Sequence, residues 1–240
     1  MAGHSHWKSI KHKKAVVDAR RGKHWSKIAR LIIIAAKRGG NPDDNLALRY
    51  AIDKARAANM PNDTIEKAVK KGTGELGADN FEPTLYEGYA PGGVAVLVDA
   101  LTDNRNRTTS EIRVVFDRNG GALGAANSVA WMFSSRGIIA VERAAVEEDQ
   151  LLELALDAGA TDVVTAPEGY TIETALNDFE KVRKALEQAH IPMVSAELTM
   201  IPAQTIEISA EQAEKLQALV DGLEDNDDVQ NVYTNAQQAS

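Results

Sequence analysis

Cysteine is absent from this chain, which excludes a disulfide framework, a thiolate metal site and a cysteine nucleophile, and suits a reducing cytosol. Long apolar runs are missing too. Leu31 to Ala36 is the longest near the start, against the roughly 20 residues needed to span a bilayer. No apolar h-region accompanies the N-terminal charges, so no secretory signal and no membrane partner are expected, and the expected location is cytoplasmic. No Walker A sequence, no G-x-S-x-G and no H-E-x-x-H occurs, so nothing asks for an enzyme or a cofactor. Gly-rich segments at 72–77, 88–93 and 119–124 lack the strand and helix context of a dinucleotide fingerprint and read as turns.

Negative charge is nearly missing from one place, the first forty residues. Seven lysines and four arginines there meet only Asp18, a net +10, although the whole chain is −8. The remaining two hundred residues therefore carry −18. A basic arm on an acidic body points to a polyanion held at one end, and a solvated tail is the alternative. Four of the five histidines, His4, His6, His12 and His24, share this stretch. With only Asp18 near them in sequence they make no expected metal site.

Residues 1–21 read as an extended arm or loose turn. Trp7 beside Lys8, Lys11, His12, Lys13 and Lys14 either stacks a base while the cations hold phosphates, or anchors the arm on the body. Arg20 and Arg21 continue the basic run. Residues 23–38 read as a helix stopped by Gly39-Gly40. At about 100° per residue, Lys23, Lys27, Arg30, Lys37 and Arg38 share one face, opposite Trp25, Ile28, Ile32, Ala35 and Ala36. Ile34 falls within the basic stripe. Helices over Leu46 to Asn59 and Thr64 to Lys71 follow, the second with Asp63 as N-cap, completing a small bundle.

Beyond a glycine-rich linker the pattern alternates strand and helix. Residues 137–200 spell β-α-β-β-α-β, the ferredoxin-like pattern, with Asn177 as one helix cap. Val94 to Val98, Thr108 to Arg118, Val129 to Phe133, Thr205 to Ile208, a helix opened by Ser209 and Gln212, and Asp228 to Tyr233 spell it again around the first. The expected fold is α+β: an N-terminal three-helix bundle followed by two ferredoxin-like α/β domains, one inserted in the other. The expected boundaries are 1–78 for the bundle with its arm, 79–134 plus 203–240 for the outer domain and 135–202 for the insert. Between strand and helix, Asn104, Arg105, Asn106 and Arg107 offer forked donors beside free helix N–H groups, a possible second anion site. Alternatively, Asp103 and the threonines cap the helix and the arginines pair with the body's carboxylates.

Gly3-His4-Ser5-His6-Trp7, Ile10 to Lys14, Asp18 to Lys23, Ala35 to Gly40, Asn59-Met60-Pro61, Tyr86-Glu87-Gly88-Tyr89, Thr102 to Thr108 and Gly120 to Gly124 closely resemble the motifs of the YebC family. Trp25, where the family usually has phenylalanine, and Leu31 to Ile34 depart from them. The resemblance implies a helical bundle and two α/β domains around a cleft. It also implies a regulator conventionally described as binding DNA. Some members, and related mitochondrial translational activators, resemble ribosome-associated factors that help translate difficult sequences such as proline runs. The expected partner is thus a nucleic acid, either DNA or ribosomal RNA within the ribosome. The pattern fixes no oligomeric state.

Overall fold

A computed structural model describes residues 21–77 and 80–238. They fall into two units, one over Trp131–Thr205 and one formed by the chain on either side. The outer unit starts with three helices, α1 (Arg21–Ala36), α2 (Leu46–Ala57) and α3 (Asn62–Gly72). The apolar face of α1 predicts its packing. Ile28, Ile32, Ala35 and Ala36 are buried with Leu48, Ala51 and Ala55 of α2 and Ile65 and Ala68 of α3. Each fully buried leucine or isoleucine contributes about 1.5–3 kcal/mol. Trp25 packs against the same core and its Nε1 donates to the carbonyl of Ala58 at 3.0 Å.

Asn45 fixes the first turn between helices. Its Oδ1 accepts from the amide of Leu48, capping α2. Its Nδ2 donates at 2.8 Å to the carbonyls of Ala35 and Gly39, orphaned at the end of α1. The expected cap of α3 is displaced. Pro61 takes the N-cap position with its φ of −59°, and Asp63 lies in the first turn. Gly72 is required where α1 and α3 touch, because a Cβ there would lie 2.5 Å from both the Ala36 Cβ and the Ile33 carbonyl oxygen.

The rest of the outer unit is a four-stranded antiparallel sheet, ordered β3 (Ala122–Leu123), β1 (Glu82–Ala90), β2 (Val94–Thr102), β9 (Val229–Thr234). Ile112 and Phe116 of α4 (Arg105–Arg118) and Leu216, Leu219 and Leu223 of α7 (Ala210–Glu224) pack with Tyr86, Val96, Val98 and Ala100 of the sheet. Among the described residues, the short β8 (Ile206–Ile208) pairs in parallel with β10 (Ala236–Gln238) only. One strand expectation needs correction here. Val129 to Phe133 is not a strand: Ala130–Met132 is a 3-10 turn and Phe133 opens the next strand. The buried Glu87 carboxylate causes this, because it accepts the backbone N–H groups of Asn127, Val129 and Ala130, each at 2.7 Å. A strand would give those donors to a neighbouring chain segment. The place next to β2 is filled instead by β1, which precedes it in the sequence.

The second unit is inserted between β3 and β8. Its strands are β4 (Phe133–Glu142), β5 (Ala160–Ala166), β6 (Gly169–Thr174) and β7 (Met193–Pro202), all antiparallel in the order β5-β6-β4-β7. That is the ferredoxin-like arrangement. Two helices, α5 (Glu148–Asp157) and α6 (Phe179–Gln188), pack on each other, α5 also on β5 and α6 on β4 and β7. Ile139, Val141, Leu151, Ile172, Val182 and Leu186 are buried. Asn177 does not cap α6. Asp178 sits at that position and takes the Lys181 ammonium at 2.7 Å instead.

Gly137 on β4 leaves room for Phe179 of α6, whose ring and the Thr174 hydroxyl occupy the space a Cβ would need. Gly137→Ala is expected to destabilise the protein by about 1–3 kcal/mol through overpacking. A urea midpoint equal to wild type would contradict this.

Candidate nucleic-acid interface

The basic face of α1 does not point to solvent along its length. It lies against the C-terminal end of α7 and the acidic loop Glu224-Asp225-Asn226-Asp227-Asp228. Lys27 Nζ donates to the carbonyl of Glu224 at 2.6 Å. Lys23 Nζ donates to the carbonyl of Asp225 at 3.1 Å and to its Oδ1 at 3.2 Å. Arg30 donates to the carbonyl of Asp227 and, at 2.9 Å, to Asp228 Oδ1. The last turn of α7 has no basic residue of its own. Its exposed carbonyls and the carboxylates beyond them concentrate negative charge, which cations from α1 offset. Burial lowers the Lys27 pKa, with Glu224 and Asp227 pulling it back up. His24 is also shifted down, by burial and by Lys54 and Lys27.

Asp228 joins this face to the second expected site. Its Oδ2 accepts from Thr108 Oγ1 at 2.6 Å, Arg107 at 2.8 Å and Thr102 Oγ1 at 3.2 Å, while Oδ1 holds Arg30. The Asp228 side chain is 4% exposed. Burial alone would raise its pKa, but the hydrogen bonds from Thr108 and Arg107 and the charge of Arg30 hold it below the usual carboxylate range. Arg107 is correspondingly shifted up, chiefly by Asp228 and Asp103. An anion therefore does sit at the start of α4, and it is the protein's own.

The rest of segment 102–109 is local. Asn104 Oδ1 caps α4 by accepting from the amide of Arg107 at 3.1 Å. Arg105 pairs with Glu82 at 3.1 Å, and both are well exposed. The side chain of Asn106 is exposed and has no partner among the described residues. A polar cavity of about 420 Å³ opens between these elements, lined by Lys23, Arg30 and Arg107 but also by Asp103, Glu111 and Asp225 to Asp228. Phe81 forms one wall, with the Arg30 guanidinium 5.0 Å from its ring centre.

Trp7, Lys8, Lys11, His12, Lys13, Lys14 and Arg20 lie outside the described residues, as does the side chain of Arg21. Lys23, Lys27 and Arg30 come together on the acidic loop. Lys37 reaches the carbonyl of Phe81 at 3.1 Å and stays exposed. Arg38 is exposed with no side-chain partner among the described residues. Sequence reasoning missed the acidic loop as the partner of α1. Its signal was present, four carboxylates in the five residues from Glu224 to Asp228 at the end of a helix. Among the described residues no group of three or more His, Asp or Glu is placed to hold a metal. None of the described helices is long and apolar enough to cross a membrane.

Comparison with known proteins places this geometry in context. Residues 5–75 match the model of the TACO1/YebC N-terminal domain, and residues 81–236 that of the TACO1/YebC second and third domain. A relative from Pelotomaculum thermopropionicum is 52% identical over 238 residues, covering 98% of both chains. One from Enterococcus faecalis is 51% identical over 240 residues, covering 99% of both. Both carry the description "Probable transcriptional regulatory protein". The crystal structure of a conserved hypothetical protein from Aquifex aeolicus superposes with a TM-score of 0.87 at 48% identity, covering 98% of each chain.

Proposed function

The chain belongs to the TACO1/YebC family, and on that premise we propose that it is a non-enzymatic, nucleic-acid-binding regulator of gene expression that works in the cytoplasm. The observation that carries this reading is the concentration of +10 in the first forty residues of a chain whose remainder is acidic. Such a distribution attracts a polyanion to one end and keeps the body from coating every nucleic acid it meets. The relatives described as transcriptional regulators make DNA one candidate target.

A second reading, ribosomal RNA bound in the course of translation, is favoured by a specific feature. Lys23, Lys27 and Arg30 are turned onto α7, so α1 has no free basic face to lay in a major groove. What remains suits phosphate contacts, which position a protein without reading sequence.

Co-sedimentation with ribosomes at about 0.15 M salt, where weak contacts are screened, separates the two when run beside duplex DNA binding. Saturable ribosome binding with weak DNA binding is the outcome expected of a translation factor. Sequence-selective DNA binding without ribosome binding restores the transcriptional role. Binding to neither overturns the proposal.

A further inference from the structure

A strand at the end of a sheet offers a row of backbone N–H and C=O groups to any chain that can pair with it. In the inserted sheet, ordered β5-β6-β4-β7, each end strand is paired on one side only among the described residues. β5 is guarded: its register shifts after Ala160, and it carries the exposed Asp162. In the outer sheet β3 has two residues, and β9 exposes none of its six. β7 is different. It is ten residues long, with Val194, Ala196 and Leu198 exposed. It contains no lysine or arginine, and Glu197 is its only charge.

The irregularities of β7 delimit one segment. Ser195 lies opposite Ala140 and Met193 opposite Val141, so Val194 is an extra residue, a bulge. Pro202, opposite Phe133, has no N–H to donate. Between them Ser195 to Ile201 runs in unbroken register, and the midpoint of that segment is Leu198, which is 48% exposed. Leu198 lies opposite Gly137, which faces Phe179 of α6, so Ala196, Leu198 and Met200 point to the helix-covered side. α6 packs on β7 yet leaves Ala196 and Leu198 exposed.

An antiparallel strand can be its own complement about a two-fold axis. Turned about Leu198, the segment sets Leu198 on Leu198 of a second copy, Ala196 on Met200 and Ser195 on Ile201. Each Glu197 falls opposite Thr199, whereas centring on Glu197 would oppose two carboxylates, a destabilising pair. A two-fold axis perpendicular to the sheet keeps the helices of both copies on one face, flanking the apolar row. We propose that two copies of this chain associate through Ser195 to Ile201 of β7, antiparallel about Leu198, joining the two inserted sheets into one. The symmetry of the open segment about an exposed leucine is what selects a second copy as its occupant. Such a dimer carries two basic N-terminal segments and so holds a polyanion at two points, but the association does not rest on the functional reading above.

The test is sedimentation equilibrium of the full chain from dilute to concentrated protein. The mass is expected to rise from 25.9 kDa towards twice that value. Leu198→Lys and Leu198→Glu each remove the central apolar pair and oppose like charges, and each is expected to weaken association about tenfold or more. Mixing the two variants sets opposite charges face to face and restores the dimer. The position is exposed, so a melting temperature equal to wild type for the monomeric variants verifies their fold. A wild-type chain that stays monomeric, a single variant that dimerises as wild type does, or a mixture that stays monomeric overturns the proposal. Amide hydrogen exchange of wild type gives a check that needs no variant: protection within Ser195 to Ile201 rises with concentration, and constant protection contradicts the pairing.

Discussion

Replacing Asp228 by alanine is expected to cost the protein about 3–5 kcal/mol, the range for breaking a buried ion pair by removing one partner. The side chain is 4% exposed and its two oxygens together hold Arg30, Arg107, Thr108 and Thr102. Arg30 is the member left most exposed to loss, being only 18% accessible itself. Arg107 is 43% accessible and keeps Asp103 at 2.8 Å, so Arg107→Ala is expected to cost much less than Asp228→Ala. Asp228→Asn does not rescue the site, because its amide presents N–H groups to donors that need an acceptor.

The pH dependence follows from the sign of the shift. A carboxylate whose folded pKa lies below its unfolded value contributes stability that is fully present above the unfolded pKa. That contribution is lost as pH falls through the folded one. The stability gap between wild type and Asp228→Asn is therefore expected to narrow below about pH 4. Urea titrations at neutral and acidic pH measure it. A gap under about 1 kcal/mol at pH 7 would show the network to be dispensable.

Glu87 carries the second large effect. Its carboxylate is buried among backbone N–H groups of Asn127, Val129 and Ala130, with no ion pair to it among the described residues. Burial works against the charge, yet these hydrogen bonds, with a contribution from Ser128, hold its pKa below the usual value. Glu87→Ala strands three donors, and each buried unsatisfied group costs about 1–3 kcal/mol. A loss of at least about 3 kcal/mol is expected. Glu87→Gln retains one acceptor oxygen and aims an amide at the remaining donors, so it falls between the two. By the same sign argument the wild-type advantage over Glu87→Gln disappears as pH falls through the folded pKa. Amide hydrogen exchange gives the local readout. Protection of Asn127, Val129 and Ala130 falls in the variant, whereas unchanged protection would mean other acceptors hold the loop.

Glu87 also explains why part of the fold was hard to read. A buried acid next to the buried Gly88 breaks the apolar alternation that marks a strand, so the sequence of β1 carries no strand signal of its own. Val129 to Phe133 has the β-branched and aromatic residues of a strand, but its donors are claimed by that distant carboxylate. Features set by near neighbours were legible. The capping box of Ser209 and Gln212 is present with both its hydrogen bonds. The apolar face of α1 packs as its period predicts. For the candidate site, the positive stripe on α1 was visible, but not what faces it, because the partners lie 197–202 residues away. The alternative pairing of Arg105 and Arg107 with carboxylates was visible as one of two options, and tertiary contacts with Glu82 and Asp228 decide the geometry.

That separation has a consequence during synthesis. Ribosomes add about 5–20 residues per second, so Lys23, Lys27 and Arg30 emerge ten seconds or more before the loop that receives them. Strand β2 waits likewise for β9, its antiparallel neighbour from the far end of the chain. The inserted unit, by contrast, finds every strand partner between Phe133 and Pro202. A growing chain thus carries its basic helix uncompensated, beside ribosomal RNA, until the acidic loop ahead of β9 arrives to claim it.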